Sequence, residues 1–165
     1  MNELDTATAA QVEALAAACK ARGLMLATAE SCTGGLIAAA CTSLAGSSDW
    51  FERGFVTYSN AAKSELLGVD PALIEAQGAV SAEVACAMAE GALTRSRAGA
   101  AVAVTGIAGP GGARPGKPVG TVWLAIGTRG EPAQAQLLQL DGDRAAVRRA
   151  TVTQALDALI AAARA

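Results

Sequence analysis

The stretch Leu24-Met25-Leu26-Ala27-Thr28-Ala29-Glu30-Ser31 runs as an apolar strand, breaks at Glu30-Ser31, and passes through Thr33-Gly34-Gly35 into the helical pattern Leu36 to Ala40. A strand that turns sharply into a helix delivers its turn residues to the end of a sheet. The helix start adds unpaired backbone N–H groups and the positive end of a dipole. Ser31 sits at that junction and is the first candidate for a nucleophile. The same residues carry a structural alternative, in which Ser31 or Thr33 simply caps the helix.

At 165 residues the chain suffices for one domain with a full core. Hydrophobic residues make up 52% and aromatics only 3%, so Ala, Leu, Val and Ile must fill that core, which suits close packing of helices on a sheet. No apolar run approaches the ~18 residues of a membrane span. Met1-Asn2-Glu3-Leu4-Asp5 lacks the basic start of a signal peptide. A net charge of −2 without a basic block invites neither nucleic acid nor an anionic membrane. A cytoplasmic location is the expectation.

The chain contains no histidine, which removes Ser-His-Asp and Cys-His catalysis and every His-containing zinc site. No metal and no cofactor are expected. Cys19, Cys32, Cys41 and Cys86 form no C-x-x-C pair and sit among apolar neighbours, as buried free thiols do. Cys32, beside Ser31, is the one with a second reading as a reactive group.

Taken in order, Asp5 to Ala21 has helical apolar spacing and stops near Gly23, and reads as a helix covering the sheet. The helix after Ser31 should end around Ser43. The second half of the run 50–58 reads as a strand. Ser59-Asn60 then offers N-caps to a short helix from Ala61 to Leu67, closed by Gly68. Lys63 falls early in that helix, where the dipole opposes a cation. That position is either a misplaced surface lysine or an amine with a lowered pKa, the property a lysine base requires. Asp70-Pro71 opens another helix, ending at Gln77-Gly78, and Ser81 caps one from Ala82 to about Arg95. Ala100 to Val104 reads as a buried central strand that pours into the Gly-rich loop from Thr105 to Gly112. Strands follow from Gly120 to Gly127 and from Ala133 to Leu140, and a long helix spans Asp143 to Ala163.

Gly111 to Lys117 matches part of a phosphate-binding P-loop, but Pro118 follows where Ser or Thr is needed, and a strand follows where a helix is needed. Arg144 and Arg148, one turn apart at the start of the last helix, have two readings. They pair with Asp141 or Asp143, or they clamp a phosphate or carboxylate. The order of elements implies a single α/β domain of three layers, α/β/α, on a mixed, mostly parallel sheet of about five strands.

Four separated blocks carry a resemblance: Ala29-Glu30-Ser31-Cys32-Thr33-Gly34-Gly35; Gly54 to Asn60 with Lys63; Gly78-Ala79-Val80-Ser81; and Thr105 to Pro110 running on to Lys117-Pro118-Val119-Gly120-Thr121-Val122-Trp123. In this order and spacing the chain closely resembles the C-terminal domain of the competence/damage-inducible protein family (CinA), over nearly its whole length. The N-terminal domain of longer relatives is absent from the resemblance. The C-terminal domain also occurs as a stand-alone amidase, a nicotinamide-nucleotide amidase, so the resemblance implies hydrolysis of the carboxamide of nicotinamide mononucleotide in pyridine-nucleotide recycling. It also implies a homodimer and a small nucleotide as partner. The family's catalytic serine and lysine map onto Ser31 and Lys63, and its tyrosine onto Tyr58.

The residues themselves point the same way. Without histidine, only a lysine, a carboxylate or a tyrosinate could deprotonate Ser31 near neutral pH. Glu30 is adjacent, but consecutive strand residues face opposite sides. Lys63 is then expected to take the proton directly or through Tyr58, with N–H groups near Thr33, Gly34 and Gly35 holding the oxyanion. Thr105 is expected to orient Lys63 or the amide. The loop containing Gly106 and Gly109, with Arg144 or Arg148, is the expected ribose-phosphate site. A catalytically silent nucleotide-binding or dimerisation module, and an amidase for another small amide, are the alternative functions.

Overall fold

The computed structural model of the protein describes residues 4–165. The expectation about a leader peptide rests partly on Met1 to Glu3, which lie outside the described residues. Strand β1 (Leu26–Glu30) is the axis of the sheet, and all of its residues are buried. It pairs in parallel with β2 (Phe51–Val56) on one side and β3 (Ala100–Gly106) on the other. Strands β4 (Thr121–Thr128) and β5 (Gln134–Gln139) extend the sheet by antiparallel pairings, giving the order β2-β1-β3-β4-β5. Only β4 therefore runs against the others, which is the mixed, mostly parallel sheet that the order of elements implies.

Helices cover both faces. On one lie α1 (Thr6–Arg22), α2 (Leu36–Thr42) and α6 (Arg144–Arg164). They bury Val12, Leu15, Ile37, Leu156 and Leu159 against Leu26, Val102, Val104 and Leu124. Each such branched side chain stabilises the fold by ~1.5–3 kcal/mol when fully buried. Helix α1 packs chiefly along α6. On the other face lie α3 (Asn60–Leu67), α4 (Pro71–Gln77) and α5 (Ala82–Thr94). There the fully buried sheet residues are Ala27, Ala29, Ala101, Ala103 and Ala125, with Phe55 and Trp123 partly buried around them, and α5 answers with Ala85, Met88, Ala89 and Ala92. Small side chains on both partners let α5 lie close to the sheet, and this is where the alanine-rich composition is used.

The helix ends follow their local chemistry. Asp5, Ser59, Asp70, Ser81 and Asp143 each accept a first-turn N–H with the side chain, and Gly23 and Gly68 close α1 and α3 in left-handed conformations. One boundary differs from expectation. Strand β2 begins at Phe51 and ends at Val56, not in the second half of the run 50–58. The reason is its place at the sheet edge, where Glu52 and Arg53 can pair with each other at 2.7 Å and stay partly solvated while Phe51 and Arg53 pair with Leu26 and Ala27 of β1 and Glu52 is skipped at an irregularity in the register.

Gly91 shows how tightly the second face is built. A Cβ at this position would overlap the carbonyl oxygen of Leu67 on α3. Alanine normally favours a helix over glycine, yet Gly91→Ala should destabilise the protein by about 1–3 kcal/mol in urea unfolding, because α3 must be pushed off α5.

Candidate active site

The top of β1 is tied on both flanks. Ser31 N–H donates to the Val104 carbonyl at 3.0 Å, and the Glu30 carbonyl accepts the Thr57 N–H at 2.9 Å. The chain then turns through Gly34 (φ +58°) and Gly35 (φ +101°), left-handed conformations open to glycine. Neither Ser31 nor Thr33 caps α2. Its N-cap is Gly35, without a side-chain bond. The capping acceptor is the Glu30 carboxylate, which receives the N–H groups of Ile37 at 2.8 Å and Ala38 at 2.9 Å. Its oxygens also accept the Thr33 hydroxyl at 2.7 Å and the Thr28 hydroxyl at 3.3 Å. Sequence reasoning set Glu30 aside once alternation turned it away from Ser31. The signal that could have found it is a charged residue closing an otherwise apolar central strand.

Lys63 is no surface lysine. It is 1% exposed, at the base of α3, and Nζ lies 2.9 Å from Ser31 Oγ, 3.0 Å from the Thr57 carbonyl and 3.4 Å from the Tyr58 carbonyl. Among the described residues no carboxylate pairs with it. Burial pushes its pKa below the ordinary 10.5, and the Cys32 thiol beside it opposes that shift. In its uncharged form Nζ can donate to the two carbonyls and accept from the Ser31 hydroxyl, the polarity a general base needs. Ser31 is itself only 8% exposed, so the pair sits just beneath the surface.

The other candidates sort differently. The Tyr58 side chain is 62% exposed and its hydroxyl accepts from Arg144 Nη2 at 3.2 Å. Ser31 and Lys63 touch directly, so no phenol relays between them. Thr105 donates its hydroxyl to the Ala79 carbonyl at 2.8 Å, tethering the loop after α4 to β3 instead of orienting Lys63. The Gly34 N–H is spent on the Ser31 carbonyl at 3.0 Å. The N–H groups of Cys32, Thr33 and Gly35 have no acceptor among the described residues. Gly106 lets β3 approach β4, since a Cβ there would lie 2.6 Å from Val122 Cγ2. Burial raises the Cys32 thiol to about 11, which keeps it protonated near neutral pH.

Arg144 and Arg148 form no ion pair with Asp141 or Asp143 among the described residues. Arg144 Nη1 donates to the Gly109 carbonyl at 2.9 Å, and Arg148 donates from Nε to Cys32 O and from Nη2 to Thr33 O, both at 3.2 Å. Both guanidiniums thus reach from α6 to the loops around Ser31. They line a cleft of about 500 Å³ with Pro110, Val119 and Gly142. A cleft of about 580 Å³ between β5 and α6 includes none of these residues. No group of three or more Cys, Asp or Glu among the described residues is placed to hold a metal ion, and no helix among them is long and apolar enough to cross a membrane.

Residues 8–163 match the CinA C-terminal domain family. The chain belongs to that family. It is 59% identical over 133 residues to the nicotinamide-nucleotide amidohydrolase PncC of Pseudomonas putida, covering 81% of this chain and 82% of that protein. To the protein of the same name from Escherichia coli (strain K12) it is 52% identical over 148 residues, 89% of each. Its fold matches the crystal structure of the competence/damage inducible protein CihA from Agrobacterium tumefaciens with a TM-score of 0.93 at 48% identity, over 98% of both chains.

Two outcomes follow from the state of Lys63. Labelling of Ser31 by a fluorophosphonate should slow ~10²–10⁴-fold in Lys63→Met, and in the wild type it should fall as acid protonates the amine. The folded protein releases this proton at a lower pH than the unfolded chain. Between the lowered value and 10.5 the unfolded chain therefore binds more protons, and stability to urea should rise with pH across that window. Lys63→Met should flatten that rise.

Proposed function

We propose that the protein is an amidohydrolase that converts nicotinamide mononucleotide and water to nicotinate mononucleotide and ammonia. The observation that carries the chemistry is the buried contact of 2.9 Å between Ser31 Oγ and an amine with no counter-ion among the described residues. The choice of substrate is supported by the names of the relatives. Lys63 Nζ takes the hydroxyl proton as Ser31 Oγ attacks the carboxamide carbon. The N–H groups of Cys32 and Thr33 receive the oxyanion, and each such donor is worth ~10²–10³ in rate. The C–N bond breaks, and ammonia leaves with the proton held on Lys63. Water then attacks the acyl-serine, gives a proton to Lys63, and that proton returns to Ser31 as nicotinate mononucleotide is released.

Arg144 and Arg148, at the N-terminal end of α6, supply fixed donors and a favourable dipole for the phosphate, in the cleft beside Pro110. Tyr58, held by Arg144, belongs to the mouth of the site in this reading. A cytoplasmic homodimer serving pyridine-nucleotide recycling completes the proposal.

Ammonia release from a panel of small amides tests it. Turnover should be highest with nicotinamide mononucleotide, weaker with the unphosphorylated riboside, and lost at least ~10³-fold in Ser31→Ala. Arg144→Ala should raise KM for the nucleotide about 10- to 100-fold, the ~1.5–3 kcal/mol of a charged hydrogen bond. Binding of the nucleotide without ammonia release would identify a silent module, and release from a different amide alone would reassign the substrate.

A further inference from the structure

Glu30 is fully buried, has no cation partner among the described residues, and takes no part in the chemistry above. An uncompensated buried carboxylate is costly unless every oxygen is hydrogen-bonded. Here both are, one by Thr33 Oγ1 and Ile37 N and the other by Ala38 N and Thr28 Oγ1. The N-cap position itself cannot supply that acceptor, because Gly35 holds φ +101°, where a residue with a side chain is strained. Instead the acceptor reaches α2 from seven and eight residues back, from the residue that precedes Ser31.

We propose that Glu30 is a positioning residue: its carboxylate fixes the turn 31–35, and with it the aim of Ser31 Oγ and of the Cys32 and Thr33 N–H groups. The inference rests on the reading of Ser31 as nucleophile. Three connections carry it. The Thr33 hydroxyl fixes the middle of the turn, the Ile37 and Ala38 amides fix its far end, and the main chain of Glu30 fixes its near end. That last link extends to the base, because the Glu30 carbonyl holds Thr57 N–H and the Thr57 carbonyl holds Lys63 Nζ. Glu30 faces α2 while Ser31 faces Lys63, so one strand end grips the scaffold on one side and presents the nucleophile on the other.

Glu30→Gln is the test, since an amide of the same size must turn an NH₂ toward donors. Misplacement by about 1 Å can cost ~10²-fold. The variant should lose about 10- to 100-fold in both fluorophosphonate labelling of Ser31 and kcat, with KM for nicotinamide mononucleotide little changed. Thr33→Val should lose less, Thr33→Ser should recover part of what Thr33→Val loses because it keeps the hydroxyl, and the double variant Glu30→Gln/Thr33→Val should lose no more than Glu30→Gln alone. A folded Glu30→Gln protein that melts earlier but labels and turns over at the wild-type rate would reduce Glu30 to a plain cap and overturn the proposal. If that variant does not fold, equal labelling of Thr33→Val and Thr33→Ser overturns it. Wild-type protein that is labelled at Ser31 but releases no ammonia from the nucleotide would sink the substrate reading and leave the labelling comparison intact.

Discussion

A lysine amine buried without a counter-ion among the described residues sets the terms for the rest of this structure. Desolvation disfavours the charged form, and no carboxylate among the described residues restores it, so Lys63 is held toward the neutral state that can accept a proton. The cost of that burial is moderated by two carbonyls, Thr57 and Tyr58, both on the segment that joins β2 to α3. The same segment is tied to β1 through Thr57 N–H. Ser31 and Lys63 therefore hang from adjoining strands of one sheet, and their separation is fixed by the strand pairing.

Holding α3 in place is the task of the small-residue face. Alanines on the sheet and on α5 bring that helix close, and Gly91 lets the Leu67 carbonyl approach its backbone. Arg95 adds a bond to the same carbonyl at 3.0 Å. A bulkier core would move α5 outward and carry α3, and Lys63 with it, away from Ser31. Composition and the geometry of the Ser31–Lys63 contact are linked through this packing.

The opposite face contributes from beneath and from above. Beneath, the Glu30 carboxylate binds the strand end to α2. Above, Arg144 and Arg148 reach over from α6 to Gly109, Cys32 and Thr33. The residues that surround Ser31 thus come from both ends of the chain and from both helical layers. They meet only where β1 ends.

The element order, the helix caps other than that of α2, and the candidate pair Ser31 and Lys63 could be read from the sequence, because each rests on local rules. Apolar periodicity marks the elements, Ser59 and Asp143 accept amides within their own first turn, and the absence of histidine leaves few bases. What only the tertiary structure decided depends on approach between distant segments. Lys63 reaches Ser31 across 32 residues, the Tyr58 hydroxyl turns to Arg144 across 86, and Arg148 finds carbonyls across 116. The edge position of β2 likewise set its start at Phe51, against its local polarity. Glu30 lies between the two cases: alternation gave its direction, but its partners appeared only when α2 folded back over the strand end. Side-chain direction is a local property of a strand, whereas the choice of partner depends on how the layers pack.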